Sequence, residues 1–481
     1  MDFVTEQQLA EEPNLPESNI QAAPGCKTPQ APDLETVDYI DPVLLFVEPY
    51  YLCASIDEDG NYTDQSQDVL GPFSLLPPND RLALRVSLLA TELREFASTK
   101  PKFRDTFDLA SFNDLFSSSN VHHFAMTYSR KRHYQAPIIH WPTFHLEEAS
   151  LPLLMAVAVT GAAYSHRPGH HPDFAFRARE FYWISDAYIF KHLKQCVELS
   201  NPSSPTSTEA LELFQAGVLS FAMDSCMNDN EMRRNAVTKR LPTLVAALRR
   251  FRLVGNRHEA SDDWTTFVKK ETNVRLTSWM FYIDAITTLF TNSPPRMALS
   301  DMHGHLPCSA ELWDAESPEH FEQRRSEEDD KGGFLCVQDL VSGLIAEEWS
   351  GVDCMPYSRL HFRNLHAVMC AFQTIIYNLH TSMLPTSNAA VLLRALDRWD
   401  TIWDASMRRF SDEQRKWIGL ARTAPEVSWL SRKILETNER EVGKKLAYFE
   451  RVPGYVAEAA YDLIRELRSN PALRDASQRS L

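Results

Sequence analysis

Histidines next to prolines are the residues of this chain that could carry acid–base or metal chemistry. His140 lies within YQAPIIHWPTFHL (residues 134–146), and further histidines lie within NSPPRMALSDMHGHLPCSAELW (residues 292–313). A general base needs a hydrogen-bond partner and access to substrate. His140 instead stands between apolar neighbours, so we favour a hydrogen-bonded core histidine over a general base at this position.

A second group of histidines could in principle bind a metal ion. His166, His170 and His171 lie in the turn HRPGHHPD. Two prolines interrupt this turn, and no carboxylate or cysteine completes a ligand set at helical spacing. The sequence therefore favours a plain turn over a metal site.

Catalytic motifs are missing elsewhere as well. The sequence contains no GxSxG nucleophile elbow and no Gly-rich phosphate loop of the GxxxxGK[ST] or GxGxxG type. Paired acids that could hold magnesium occur only as EEDD (327–330) and DED (57–59), which we predict to lie in glycine-flanked loops. We expect no enzyme, and we assign no catalytic, cofactor-binding or metal-ligating residue.

Apolar periodicity indicates the elements that position these segments. In NDRLALRVSLLATELREF, apolar residues recur in steps of four, three, four and three behind an Asn79/Asp80 cap, which predicts an amphipathic helix. LPLLMAVAVTGAAY (151–164) is apolar on all sides, so we expect a buried helix. Glycine is scarce, at 15 of 481 residues, and alternating strand patterns are nearly absent. The predicted fold class is all-α, a large bundle of about ten or more helices.

Further helices are predicted from the same kind of pattern and from turn clusters between them. Their expected ranges are 174–199, 207–225, 231–252, 264–290, 333–348, 359–381, 388–404, 426–437 and 453–468.

Charge divides the chain into an acidic start and a neutral body. Residues 1–68 contain 15 acidic side chains and one basic one, Lys27, whereas the rest holds 48 basic and 50 acidic residues. We predict a disordered, Pro-containing segment over 1–78, a helical domain over 79–470 and a flexible tail over 471–481. Aromatic and leucine residues alternate with acids in the first segment, as in activation segments. A solvated linker with a short docked helix is the alternative.

The sequence predicts a location inside the cell. Residues 1–20 lack a secretory signal, and the longest apolar run has 14 residues, too short to span a bilayer. The eight cysteines are far apart and form no zinc or disulfide pattern, so we expect reduced thiols. SRKRH (129–133) is a short candidate nuclear import signal or phosphate contact.

One basic region raises the question of nucleic acid. It places seven cations within 20 residues: Arg233, Arg234, Lys239, Arg240, Arg249, Arg250 and Arg252. Leucines and Val245 in LPTLVAALRRF supply an apolar face opposite them. We therefore favour the solvated side of a helix over a nucleic-acid contact.

Several of these segments together resemble the fungal-specific transcription factor domain, also called the middle homology region. HYQAPIIHWPTFHLEEASLPLLMAVAVTGAAYS resembles its opening, and ETNVRLTSWMFYIDAITTLFTNSPPRMALSDMHGHLPCSAELWDA resembles its E-x3-R-x3-W-x-x-[FY]-x-[LI]-D helix and the motifs after it. The matching positions of the first segment are Pro137, Ile138, Ile139, His140, Pro142, Thr143, Phe144, Leu153, Leu154, Gly161, Ala162, Tyr164 and Ser165. Those of the second are Glu271, Arg275, Trp279, Tyr282, Asp284, Asn292, Pro294, Pro295, Leu306, Pro307, Leu312 and Trp313. The resemblance runs from about residue 80 to about residue 440.

In this reading the two segments are scaffold. Prolines fix the backbone at corners and stop helices. We expect Thr143 to cap the N-terminus of the element that follows it. Glu271 and Arg275 are four residues apart on one helix, in the favourable order for an ion pair.

The resemblance implies a regulator of transcription in a fungal nucleus. Members also carry a zinc module that reads DNA, but residues 1–79 hold only Cys26 and Cys53 and no histidine, so they cannot form one. Zinc is therefore expected for the family but has no ligand set here, and we expect DNA contact through a partner or through a missing zinc finger.

Three functional hypotheses remain open. The first is a regulator of a gene set, for example a metabolic or secondary-metabolite cluster, that contacts the transcription machinery or coactivators. The second is an interaction protein that binds a related zinc-finger transcription factor and modulates it. The expected assembly is a homodimer or a heterodimer with such a factor. The third is an effector-sensing domain with a small molecule between its helices.

Overall fold

The structure of the protein is a computed structural model, and it describes most of the chain from Asp80 to Ser469. It also describes Ser55–Ile56 and Tyr62–Thr63. Gaps within the described part fall at 132–136, 166–173, 202–205, 227–229, 331–333, 382–388, 412–418, 439–447 and 449–457. The predicted acidic segment, apart from those four strand residues, and the predicted tail 471–481 lie outside it. So do the turn HRPGHHPD, the DED triplet and the end of SRKRH.

Helices make up nearly all of the described secondary structure, as the sequence predicts. Strands β1 (Ser55–Ile56) and β2 (Tyr62–Thr63) form a two-residue antiparallel pair in which Ser55 lies opposite Thr63. The helices of the first half are α1 (Arg81–Ser98), α2 (Pro101–Arg104), α3 (Leu109–Leu115), α4 (Ser118–Lys131), α5 (Leu151–Tyr164), α6 (Phe174–Ala178), α7 (Tyr182–Leu199), α8 (Thr208–Cys226), α9 (Asn230–Asn235) and α10 (Leu241–Arg250).

The remaining helices follow in the second half. They are α11 (Trp264–Thr291), α12 (Ala310–Trp313), α13 (Pro318–Asp330), α14 (Val337–Ile345), α15 (Phe362–Thr381), α16 (Ala389–Arg408), α17 (Ala424–Asn438) and α18 (Glu458–Ser469). Short 3-10 turns cover Trp141–Thr143, Arg179–Phe181, Leu299–Met302, Tyr357–Arg359 and Gly419–Thr423, and a π-helical turn covers Ala236–Arg240.

Helix α1 begins where the sequence predicts. The Asp80 carboxylate accepts a hydrogen bond from the backbone N–H of Ala83 at 3.0 Å, which satisfies one of the free N–H groups of the first turn. The predicted apolar stripe is buried along its whole length, from Leu82 to Phe96. Burial of that stripe orients the helix against α3, α4 and α7.

Helix α5 is the centre of the first half and is buried on all sides, as predicted. It packs against α4, α7 and α8. Gly161 allows the closest of these contacts, because a Cβ at this position would lie 1.9 Å from the backbone oxygen of Phe124 on α4. At the other end of α5, the N–H of Ser150 donates to Glu212 of α8 at 2.7 Å.

Helix α11 occupies the same central place in the second half. It packs against α15 and α18, while α15 in turn packs against α14, α16 and α17. Nearly all of its residues from Glu271 to Thr291 are buried, including several polar ones. These buried polar residues include the two that the sequence pairs, Glu271 and Arg275.

The predicted helices are all present, with shifted ends. The range 333–348 shortens to α14, and 453–468 corresponds to α18, of which residues 453–457 lie outside the description. One loop prediction was wrong: EEDD (327–330) forms the last turn of helix α13, because the pattern from Pro318 onward has no apolar stripe to reveal a helix. Helices α2, α3, α4 and α12 were also missed, since they are short or follow one another without clear turn signals.

Candidate functional site

His140 lies in the core, as its apolar neighbours predict. Its ring is 5% exposed, and its Nδ1 lies 2.8 Å from the hydroxyl of Thr143. The prediction that Thr143 caps the following element was wrong. Thr143 ends the short turn Trp141–Thr143, and its hydroxyl points back to His140 instead of forward to a free N–H.

The segment around His140 is held against helix α8. The side-chain amide of Gln215 on α8 donates to the carbonyl of Ile138 at 2.7 Å in a buried position. Ile138 and Ile139 are buried as well. This corner is therefore a packed part of the scaffold that presents His140 inward.

The inward face of His140 meets the other signature segment. Its ring lies edge-on against the indole of Trp313, with centroids 4.7 Å apart, and Trp264 lies 6.0 Å away. The guanidinium of Arg275 covers the same indole at 4.5 Å from the ring centre. A single tryptophan thus joins the two segments that the sequence singled out.

Glu271 and Arg275 form the predicted ion pair, and the structure shows that it is fully buried. Arg275 Nε donates to Glu271 Oε1 at 2.7 Å, and both side chains are at most 3% exposed. Arg275 Nη2 also donates to the carbonyl of Cys308 at 3.0 Å, and the N–H of Cys308 donates to Glu271 Oε1 at 3.0 Å. The pair therefore clips the loop around Cys308 to helix α11.

His258 completes the arrangement. Its Nε2 lies 2.8 Å from Glu271 Oε2, and its ring stacks on Phe267. The backbone N–H of His258 donates to Nδ1 of His305 at 3.0 Å, which requires that nitrogen of His305 to be unprotonated. We call Glu271, Arg275, His258, Cys308 and Trp313 the Glu271–Arg275 network.

The Glu271–Arg275 pair is ionised at neutral pH, whereas His305 and the Cys308 thiol next to it are neutral. Burial would raise the pKa of Glu271, but Arg275 and the hydrogen bonds from His258 and Cys308 outweigh it and lower the pKa. Burial, followed by the effect of His258, lowers the pKa of His305 to about 4. Burial, followed by Glu271, raises the pKa of the Cys308 thiol well above its usual value. A protonated thiol at neutral pH is a poor nucleophile, so the network favours a structural role.

The NSPPR corner ends helix α11 through two further contacts. Asn292 adopts a left-handed backbone with φ of 47°, a common helix stop, and its amide donates to the carbonyl of Tyr448. The buried carboxylate of Asp284 accepts hydrogen bonds from the N–H groups of Arg296 and Met297, each at 2.7 Å. Burial raises the pKa of Asp284 to about 6, with those two hydrogen bonds opposing the rise.

The sequence reasoning missed part of this arrangement. His258 and Cys308 lie outside helix α11, and no local spacing connects them to Glu271. Their contacts depend on how two loops fold back onto the helix. The available sequence signal was the spacing of Glu271 and Arg275, four residues apart on one helix.

The basic region is less exposed than predicted. Arg240 forms an ion pair with the buried Asp186, Arg249 donates to Asp301 at 2.8 Å, and Arg250 hydrogen bonds to the end of helix α7. The expectation of a solvated face was therefore wrong for Arg240 and Arg250, which are partly buried, whereas Arg249 is exposed as expected. All three arginines bind other parts of the fold and do not form one open row of cations.

Sites for metals and small molecules have little support in the described part of the chain. There, no three His, Cys, Asp or Glu side chains come together as a possible metal site. One cavity between α5, α7 and α8 has a volume of about 10 Å³ and is lined in part by Thr160, Ser185 and Ser220. This is room for about one water molecule, far below a cofactor pocket.

Comparisons with known proteins agree with the arrangement. Residues 125–400 match the fungal specific transcription factor domain, a range that contains both segments and the whole network. The chain is also similar to transcription factor verF of Penicillium polonicum, with 23% identity over 402 residues. That alignment covers 73% of this chain and 52% of the relative, so the chain spans about half the length of that protein.

No solved structure matches the chain. None of the described helices is long and apolar enough to cross a membrane. Both matches are to transcription factors, and neither is to an enzyme. Because the matched range covers more than half of its residues, the chain belongs to the fungal specific transcription factor domain family.

Proposed function

We propose that this chain regulates a fungal gene set through its helical domain, and that a partner or a zinc module outside this sequence contacts DNA. The observation that carries the proposal is the family match over residues 125–400, together with the packing of its two signature segments at His140 and Trp313. A buried, tightly packed core of this kind holds a surface in shape for protein partners.

Charge supports an indirect contact with DNA. Direct binding gains affinity when lysines and arginines displace the counterions of phosphates. Here the net charge is −16, and Arg240 and Arg249 are engaged with Asp186 and Asp301. A chain with this balance gains little from the phosphate backbone by itself.

The acidic segment 1–78 is the proposed contact to coactivators or the transcription machinery. Its sequence alternates leucines and aromatics with carboxylates, so a partner groove could accept the apolar side chains while the charges keep the free segment in water.

A tethering assay tests this proposal. The full chain and residues 1–78 are each fused to a heterologous DNA-binding domain in a fungal host with a reporter gene. We expect both fusions to raise expression of the reporter. A variant of the segment with Leu44, Leu45 and Phe46 replaced by alanine keeps the same charge, and we expect it to lose this effect. Background expression from both fusions would count against activation.

The kind of gene set is part of the proposal and rests on the family alone. Transcript profiling of a deletion strain would identify it, and a metabolic or secondary-metabolite cluster is the expected class. If those transcripts rise on deletion and the chain co-purifies with a zinc-finger relative, the modulating interaction protein is the better account. An effector-sensing role gains no support from the cavity of about 10 Å³ between α5, α7 and α8.

A further inference from the structure

Helix α1 presents a second stripe on the side opposite its buried one. Its members recur in steps of three and four: Arg81, Leu84, Leu88, Thr91 and Glu95. We call them the outer stripe. Leu84 is 72% exposed and Leu88 is 47% exposed, which makes them two of the few large apolar side chains on the described surface. Spacing of this kind is the seam along which two helices pack side by side.

The charges at the two ends of the outer stripe have opposite sign. Arg81 stands at the N-terminal end and Glu95 stands two heptads later, and both are exposed. A parallel, in-register pair of such helices would place like charges opposite each other. An antiparallel pair would bring Arg81 of each copy towards Glu95 of the other.

The two leucines fit the same antiparallel arrangement. In an antiparallel pair with its two-fold axis between Leu84 and Leu88, each Leu84 faces Leu88 of the other copy. Arg81 then lies level with Thr91 of the second copy, about 6 Å along the axis from its Glu95, a distance that an arginine side chain can span. The stripe is therefore self-complementary, as a two-fold interface requires.

From this match we propose that the outer stripe of α1 binds a second copy of this chain in antiparallel orientation. The proposal deepens the regulatory function by naming a partner, and it rests on that function only for its biological purpose. A contact limited to one helix pair is smaller than the roughly 1,200 Å² of stable interfaces, so we expect a weak dimer in the micromolar range.

Sedimentation equilibrium of the purified full chain tests the proposal, over concentrations from submicromolar to about 100 µM. We expect a monomer–dimer equilibrium for the parent chain and a monomer for Leu88→Asp. The matched control is Leu199→Asp at the end of α7, where the leucine is 86% exposed but lies outside the stripe. This control is expected to leave the dimer unchanged.

Charge reversal tests the orientation. Arg81→Glu and Glu95→Arg should each weaken the dimer by about three- to tenfold, because each change places like charges next to each other in two exposed pairs. The double reversal should restore the dimer, because opposite charges then face each other again. Both changes also suit the helix dipole, with an acid at the N-terminus and a base near the C-terminus, so they should not unfold α1.

Three results would overturn the proposal: a chain that stays monomeric at every concentration, a dimer that Leu88→Asp leaves intact, or a double reversal as weak as the single ones. Circular dichroism confirms that each variant is folded. Because the assay uses the chain alone, these results would leave the promoter role untouched, and a failed reporter assay would leave the dimer untouched.

Discussion

The ring of His140 lies edge-on against the indole of Trp313, with the two planes inclined at 71°. These residues belong to two segments that are far apart in the sequence, and Arg275 covers the same indole. One aromatic side chain, Trp313, thus takes part in a contact between these two segments. Both family motifs therefore contribute a side chain to the same buried contact.

Trp313 should accordingly be one of the most sensitive positions of the fold. Replacement by alanine removes a side chain that is 1% exposed and leaves a large cavity, so we expect the free energy of unfolding to fall by about 3–5 kcal/mol. Chemical denaturation monitored by far-UV circular dichroism measures the change. Leu199→Ala, at an exposed position, should change it little, and an equal effect of both would contradict this view of Trp313.

The ion pair between Glu271 and Arg275 should be costly to break. Glu271→Gln leaves the buried guanidinium without its counter-charge, so we expect a loss of about 3 kcal/mol or more. The matched control is Arg465→Met, because its ion pair with Asp462 is 71% and 57% exposed and should contribute under about 1 kcal/mol. Denaturant midpoints of the two variants decide the matter, and similar midpoints would refute a structural role for the pair.

Gly161 should not tolerate a side chain. In Gly161→Ala the new Cβ would meet the backbone oxygen of Phe124 at 1.9 Å, and a backbone atom cannot move away without shifting helix α4. We expect a loss of about 2–4 kcal/mol, despite the better helix propensity of alanine.

Gly217→Ala is the control for that substitution. Its Cβ would come closest to the ends of two leucine side chains, at 3.0 and 3.1 Å, and these can adjust. Thermal unfolding should therefore separate the two variants clearly. A Gly161→Ala protein as stable as the Gly217→Ala protein would show that α4 and α5 are not in such close contact.

His366 should make the protein less stable in mild acid. Burial lowers its pKa to about 4 from an ordinary value of 6.5, so the unfolded chain binds a proton more readily than the folded one. Its contribution to stability is complete above pH 6.5 and is lost as the pH falls towards 4. Between pH 7 and pH 5 we expect a loss of about 2 kcal/mol from this residue.

The variant His366→Phe isolates that effect, since phenylalanine can keep the stacking on Tyr282 at 4.9 Å without a titrating group. Unfolding of parent and variant is measured at both pH values. The variant should lose about 2 kcal/mol less than the parent on acidification, whereas His122→Phe, at an exposed site, should behave like the parent. Parallel pH profiles for His366→Phe and the parent would rule out a neutral His366.

The sequence was informative where one helix face carries the signal. The stripe from Leu82 to Phe96, the buried helix α5 and the spacing of Glu271 and Arg275 are local patterns, and the structure confirms all three. The resemblance to the family is likewise confirmed by the match over residues 125–400.

The remaining features depend on contacts that no local pattern records. His258 and Cys308 reach Glu271 only because loops fold back on α11. Arg240 finds Asp186 on another helix, so an apparent solvated face became partly an internal ion pair. Helix α13 was missed because a solvated helix without an apolar stripe resembles a loop in sequence.

Chromatin immunoprecipitation tests the central claim most directly, with the endogenous protein tagged at its C-terminus and the 5′ end of its transcript mapped in the same strain. The account predicts discrete peaks at a set of promoters whose transcripts change when the gene is deleted. A longer transcript would assign DNA contact to a zinc module, and the short one alone would assign it to a partner. An expressed, tagged protein with no promoter enrichment above the untagged strain would contradict the account.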